Sequence, residues 1–274
     1  MKQAASSDPA ILAQPILASR KYRSLNLPSE TVIDLIQRSL DNGLKPSQAV
    51  DDARDKLHNI VAPYLGDPNY AETTEQLIGN PSFSDPLVIK PFCLKMLEKH
   101  ASTRERIPYL EDFYRKIFSV TGVPRSILDL ACAMHPFALP WMNLPSSCAF
   151  AAYDLHQPRV DLINLFFKTA EVNGQAFYGD ILLNPPQQLA DIAFFFKEAH
   201  RFEQRQKGCN RTFWQALEVN WLVVSLPATN LTGRFDLADR QRKLVSETLD
   251  GLNWPLVELQ VGNELLFCIH KELG

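Results

Sequence analysis

The sequence predicts an α/β fold, an open sheet of parallel strands finished by an antiparallel hairpin and preceded by a helical region. Three observations carry this. Short apolar runs at 126–131, 149–154 and 175–179 bring Asp129, Asp154 and Asp180 to the ends of candidate strands. Runs this short and apolar suit strands buried on both faces, as in a parallel sheet. Further runs at 191–196 and 221–226 alternate with helical patterns, and those at 257–261 and 265–270 flank Gly262-Asn263, a hairpin signal.

In chain order, Ser29 is placed to cap a helix carrying Val32, Ile33, Ile36 and Leu40 on one side. Ser47 is placed to cap a second, with Val50, Ala53, Leu57, Ile60 and Val61 at helical spacing. Residues 66–91, rich in Pro, Gly, Asn and Ser, predict loop with a short helix. Ser102-Thr103-Arg104-Glu105 has the spacing of a capping box. Ile107, Leu110, Phe113, Tyr114, Ile117 and Phe118 then give an amphipathic helix beginning near Pro108, and Gly122-Val123-Pro124 ends it. The expected division is a helical domain over 1–105 and an α/β domain over 106–274.

Of the 274 residues, 46% are hydrophobic and 22% charged, a soluble globular balance. No apolar run approaches the ~20 residues of a membrane span. The opening Met-Lys-Gln-Ala-Ala-Ser-Ser-Asp-Pro lacks the apolar core of a signal peptide, so the cytoplasm is expected. The five cysteines form no C-x-x-C pair and no histidines stand at metal-ligand spacing, so neither a disulfide framework nor a metal site is expected. Net charge is −3, but the basic residues cluster: Arg20, Lys21 and Arg23; Lys197, Arg201, Arg205, Lys207 and Arg211; Arg234, Arg240, Arg242 and Lys243. Phosphate binding depends on such local footprints. Each cluster is equally readable as a solvated helix face.

Ligands of open α/β sheets bind at the carboxyl ends of the strands. Three carboxylates there suit a ligand with a ribose, an adenine amine and a cationic centre, which describes S-adenosylmethionine. Asp154 lies 25 residues after Asp129, near the ~20-residue offset of a ribose-binding acid; the alternative is a helix N-cap. Asp180 suits the adenine amine, with Ile181 packed on the ring; the alternative is a turn residue after Gly179. The intervening turn, Leu-Ala-Cys-Ala-Met-His-Pro (130–136), has no glycine, and Ala131 and Ala133 permit a moderately close backbone approach.

His-Ala-Ser-Thr-Arg-Glu-Arg-Ile-Pro-Tyr-Leu-Glu-Asp-Phe-Tyr (100–114) resembles a signature of the aminoglycoside-resistance 16S rRNA (guanine(1405)-N7)-methyltransferases. The likeness continues through 126–142, Phe196-Lys197 with Glu203, Leu226-Pro227, Gly233-Arg234 and 261–265, and loosely at 19–22 and Leu57-His58. It implies a class I S-adenosylmethionine-dependent methyltransferase fold, a Rossmann-like seven-stranded sheet, behind an N-terminal helical domain that docks on the 30S subunit. It implies that Arg104 pairs with the methionyl carboxylate and that Asp129, Ala131, Ala133 and His135 border the cofactor. Asp154 and Leu155 would face its ribose, and Asp180 and Ile181 its adenine. Lys197 and Glu203 would be the catalytic pair bordering the target base, with Arg234 facing RNA. Arg20, Lys21, Arg201, Arg240 and Lys243 complete the expected RNA contacts of a monomeric enzyme. Phe202, Trp141 and Phe235 are candidates for stacking on the base.

The chain also departs from that pattern. Ala133 replaces a glycine, His135 an asparagine and Thr229 a lysine; Ala199-His200 replaces Leu-Pro, and a Lys-Gly-Met block is missing. Cofactor binding is expected to survive these changes and target recognition to differ. A non-catalytic or retargeted RNA-binding relative, or a small-molecule methyltransferase of the same fold, are the competing readings.

Overall fold

The computed structural model describes residues 7–61, 67–79, 85–229 and 236–271. The helices α1 (Pro9–Leu17), α2 (Ser29–Asp41) and α3 (Pro46–Val61) come first. In α2 the buried residues are Thr31, Val32, Leu35, Ile36 and Ser39, one face at helical spacing. Ser29 is its first helical residue and gives no side-chain cap. The region expected to be mostly loop holds α4 (Tyr70–Ile78) and α5 (Pro86–Lys99). Asn69 and Asp85 cap them, their side chains accepting from backbone amides.

The 102–105 segment does not form a capping box. It is a single turn, α6 (Ala101–Arg104), in which the Ser102 hydroxyl meets His100 Nδ1 at 2.6 Å and Thr103 donates to the Leu97 carbonyl at 2.7 Å. A 3₁₀ turn then leads into α7 (Leu110–Thr121), with Glu111 and Asp112 at its positive end and Gly122 at φ 74° closing it.

The strands are β1 (Ser126–Leu130), β2 (Ala149–Asp154), β3 (Gly174–Tyr178), β4 (Ala190–Phe196), β5 (Val219–Pro227), β6 (Leu256–Val261) and β7 (Glu264–His270). They form one seven-stranded sheet in the order β3-β2-β1-β4-β5-β7-β6. Strands β1 to β5 run parallel, and β7 lies antiparallel between β5 and β6. The expected class I architecture is thus observed. Helix α8 (Gln157–Thr169) links β2 to β3; α9 (Ala199–Arg205) and α10 (Cys209–Ala216) link β4 to β5, and α11 (Ala238–Leu249) precedes the hairpin.

Two cores sandwich the sheet. One joins it to α4, α5, α7 and α8, and the other to α9, α10 and α11. A third core belongs to α1, α2 and α3 and includes Ala133, with Leu155 packed against it. The N-terminal helices therefore rest on the turn that follows β1. All five cysteines are buried free thiols. No helix among the described residues is long and apolar enough to cross a membrane.

Candidate active site

The strand order reverses between β1 and β4, and ligands of open sheets bind at such a point, outside the carboxyl ends. The turn after β1 holds Ala131 at φ 52° and Ala133 at φ 48°. This is backbone that glycine adopts freely and an L-residue adopts at about 1–2 kcal/mol. The glycine-like geometry of a ligand-binding turn is therefore kept without glycines. Asp129 turns away from it. Its carboxylate meets His135 Nδ1 at 2.8 Å, and His135 Nε2 meets the Tyr114 hydroxyl at 2.7 Å, all three groups being buried. With the ring proton on Nδ1, Nε2 accepts from Tyr114, so a neutral imidazole satisfies both contacts.

Asp154 and Asp180 do face one crevice, lined also by Ala131, Tyr153, Leu155, Ile181, Glu198, Arg201, Phe202 and Arg205, with Ile60 reaching in from α3. Its volume is about 30 Å³, room for a water or two but not for a nucleoside. Both carboxylates are engaged by the chain itself. Asp154 accepts from the His156 amide (2.9 Å), the Ala133 amide (3.0 Å) and Arg159 Nη1, which lies 3.2 and 3.0 Å from its two oxygens. Asp180 accepts from the Leu182 amide (3.1 Å), the Thr31 hydroxyl (2.7 Å) and Arg205 Nη1, at 2.9 and 2.7 Å from its two oxygens. A carboxylate offers about four acceptor sites, so each acid is saturated. Arg159 is fixed in turn by Asp67 at 2.7 Å, and Arg205 reaches Asp34 of α2 at 3.5 Å. Burial pushes the Glu198 carboxyl up to about 7, against the opposing charge of Arg201 at 3.3 Å.

Lys197 has left-handed backbone at φ 60° at the end of β4. Its ammonium bridges Glu105 (2.7 Å) and Glu264 (3.3 Å). Glu264 also takes a two-pronged contact from buried Arg106, whose guanidinium lies over the rings of Phe113 and Phe196. Arg104, by contrast, is exposed at the end of α6. Glu203 accepts from the Gly208 amide (2.7 Å) and Asn210 Nδ2 (3.0 Å), holding the start of α10. Lys197 and Glu203 thus serve separate networks.

Of the expected RNA contacts, Arg20, Lys21, Arg240 and Lys243 are exposed, with Lys21 Nζ 3.0 Å from His58 Nδ1, and Arg201 lines the crevice. Arg234 and Phe235 lie outside the described residues. Phe202 lines the crevice, and Trp141 packs on the sheet core beneath Lys90. Sequence reasoning passed over Thr31, Asp34, Asp67, Arg106, Arg159 and Glu264. Arg106 and Glu264 do stand inside the two blocks that carry the resemblance, and that was the available signal.

A family profile described as "Ribosomal RNA methyltransferase (FmrO)" matches residues 18–269. The chain belongs to this ribosomal RNA methyltransferase family. A 16S rRNA (guanine(1405)-N(7))-methyltransferase from Serratia marcescens is 32% identical over 219 residues, 80% of this chain and 80% of that protein. The solved structure of the 16S rRNA methylase RmtB matches this FmrO-family chain with a TM-score of 0.76 at 27% identity, covering 97% of this chain and 100% of that one. That of the 16S rRNA methyltransferase RmtF in complex with S-adenosyl-L-homocysteine gives 0.77 at 22% identity, over 98% of this chain and 100% of that one, and bears on the fold.

Proposed function

We propose that this FmrO-family chain transfers a methyl group from S-adenosylmethionine to N7 of guanine 1405 in 16S rRNA within the 30S subunit. We further propose that it acts as a cytoplasmic monomer, with residues 1–105 docking on the subunit. The observation that supports this most is the pair Asp154 and Asp180, facing one crevice at the carboxyl edge of the sheet beside the left-handed Ala131–Ala133 turn. The donor set suits the cofactor. Asp154 would accept from the ribose hydroxyls and Asp180 from the adenine amine against Ile181, with Leu155 and the 131–135 turn alongside and Arg104 toward the methionyl carboxylate. These contacts require the crevice to widen and the present donors to yield.

When bound, S-adenosylmethionine supplies a methyl group on a sulfonium centre. Guanine N7 has a lone pair and carries no proton, so no general base is needed. The work left to the chain is alignment, which can lower a barrier by ~7–11 kcal/mol. It must also extract the base from its stack, at a few kcal/mol. Lys197 and Glu203 would border the base; Arg20, Lys21, Arg201, Arg234, Arg240 and Lys243 would neutralise phosphates. Incubating 30S subunits with protein and S-adenosylmethionine tests the reading, with mass spectrometry of the rRNA fragment spanning 1405. Gain of one methyl on the guanine is expected; an unmodified fragment refutes the assignment.

One observation favours a second reading. Both acids are already saturated by protein donors, as suits an RNA-binding relative that has given up the cofactor. Binding of 30S subunits with no calorimetric response to millimolar S-adenosylhomocysteine would select it.

A further inference from the structure

The crevice is shut from one side by residues that no resemblance assigns to it. Thr31 of α2, fully buried, donates to Asp180, and Asp34 of the same helix reaches the guanidinium that neutralises Asp180. Ile60 of α3 enters the lining, and the core of α1–α3 packs on Ala133 and Leu155. One helical layer thus covers three parts of the candidate cofactor site: the turn after β1, the residue after Asp154, and Asp180 itself. The closure is also imperfectly satisfied, because the buried Nε of Arg205 has no hydrogen-bond partner among the described residues. A buried donor left unpaired lowers the cost of release.

We propose that α2 and α3 form a latch on the cofactor crevice, with Arg205 as an internal competitor that occupies the adenine-binding carboxylate until the latch lifts. The proposal rests on the reading of that crevice as the S-adenosylmethionine site. Lifting α2 removes the Thr31 donor from Asp180 and the Asp34 anchor from Arg205, so that Arg205 is free to swing off Asp180 and yield it to an adenine amine, and it opens the volume that Ile60 and Leu155 fill. If only the open fraction binds, the apparent dissociation constant is the intrinsic one divided by that fraction. The exposed Arg20, Lys21 and Arg23 lie on the same helical layer. Engagement of that layer by RNA would favour the open state and cofactor binding, and by linkage the cofactor would tighten RNA binding in the same ratio.

The test titrates S-adenosylhomocysteine into the full-length wild type, Arg205→Ala and Thr31→Val by calorimetry, and follows hydrogen exchange across α2 with and without the ligand. Arg205→Ala is expected to bind about tenfold or more tightly than wild type, Thr31→Val to shift the same way by less, and ligand to speed exchange at residues 29–41 of the wild type. Equal affinities in wild type and variants, with α2 exchange unchanged, would overturn the latch while leaving a cofactor site in place. Absence of binding by all three proteins would overturn the latch and the cofactor reading together. Should Arg205→Ala fail to fold, Thr31→Val decides alone: an unchanged dissociation constant refutes the proposal.

Discussion

At Ala133 a methyl group occupies backbone held at φ 48°, and it packs against the N-terminal helices. Ala133→Gly is expected to relieve about 1–2 kcal/mol of left-handed strain. It returns about 0.4–1 kcal/mol to the freedom of the unfolded chain. Loss of the buried methyl costs about 0.8 kcal/mol, so the sum lies between about −0.8 and +0.8 kcal/mol and the melting temperature should barely move; a large fall would show that the methyl's packing outweighs the strain. Glu198 makes a second residue-scale expectation. Burial pushes its carboxyl up to about 7, so the folded chain holds a proton that the unfolded chain releases above about 4.5. Its contribution is therefore lost as pH rises from the unfolded value to about 7, and is constant beyond. Melting temperatures from pH 5 to 7.5 should show the wild type falling relative to Glu198→Gln; parallel curves would remove that titration from the crevice.

At the scale of elements, the Arg106–Glu264 pair joins the segment before α7 to β7, with Lys197, the residue after β4, as a third member. Removing Arg106 leaves the buried Glu264 carboxylate to Lys197 alone, so Arg106→Ala is expected to cost about 3 kcal/mol in chemical denaturation, the low end for breaking a buried pair. The hairpin has its own constraint. Gly262 sits at φ 53° beneath the Tyr109 ring, and an added Cβ would fall 2.5 Å from Cε2. Gly262→Ala should destabilise by about 1–3 kcal/mol through overpacking. The strands were legible because each is a short apolar run closed by an acid or a turn. Helix α5 was not, because Pro91 lies inside it and the Pro- and Gly-rich flank reads as loop. The ion pairs that organise the site were also silent. Arg159–Asp67 and Arg205–Asp34 join residues 92 and 171 positions apart, and no local periodicity marks such a partnership.

Over the whole molecule, a net charge of −3 coexists with exposed cations on the N-terminal layer and along α11. Lys207, Arg211, Arg240 and Lys243 line one groove between the start of α10 and α11, with Glu203 already spent on Gly208 and Asn210. Affinity for 30S subunits should therefore fall steeply between about 50 and 200 mM salt. The double variant Arg240→Glu, Lys243→Glu should lower the slope of log affinity against log salt by about two. An unchanged slope would take this groove out of the RNA contact. The positions of Asp154 and Asp180 could be read from spacing alone, whereas their occupation by Arg159 and Arg205 could not. A carboxylate's address in a sheet is local, but its partner is chosen by how separate layers come to rest on each other.

Cys132 stands between the two left-handed alanines, its thiol buried and pushed well above its ordinary range by burial and the neighbouring Asp154 and Asp129 carboxylates. Alkylating reagents attack exposed thiolates, so this sulfur stays silent in the sealed protein. Its modification rate is then a clock for how often the core between the sheet and α4, α5, α7 and α8 opens, readable peptide by peptide against the four other cysteines.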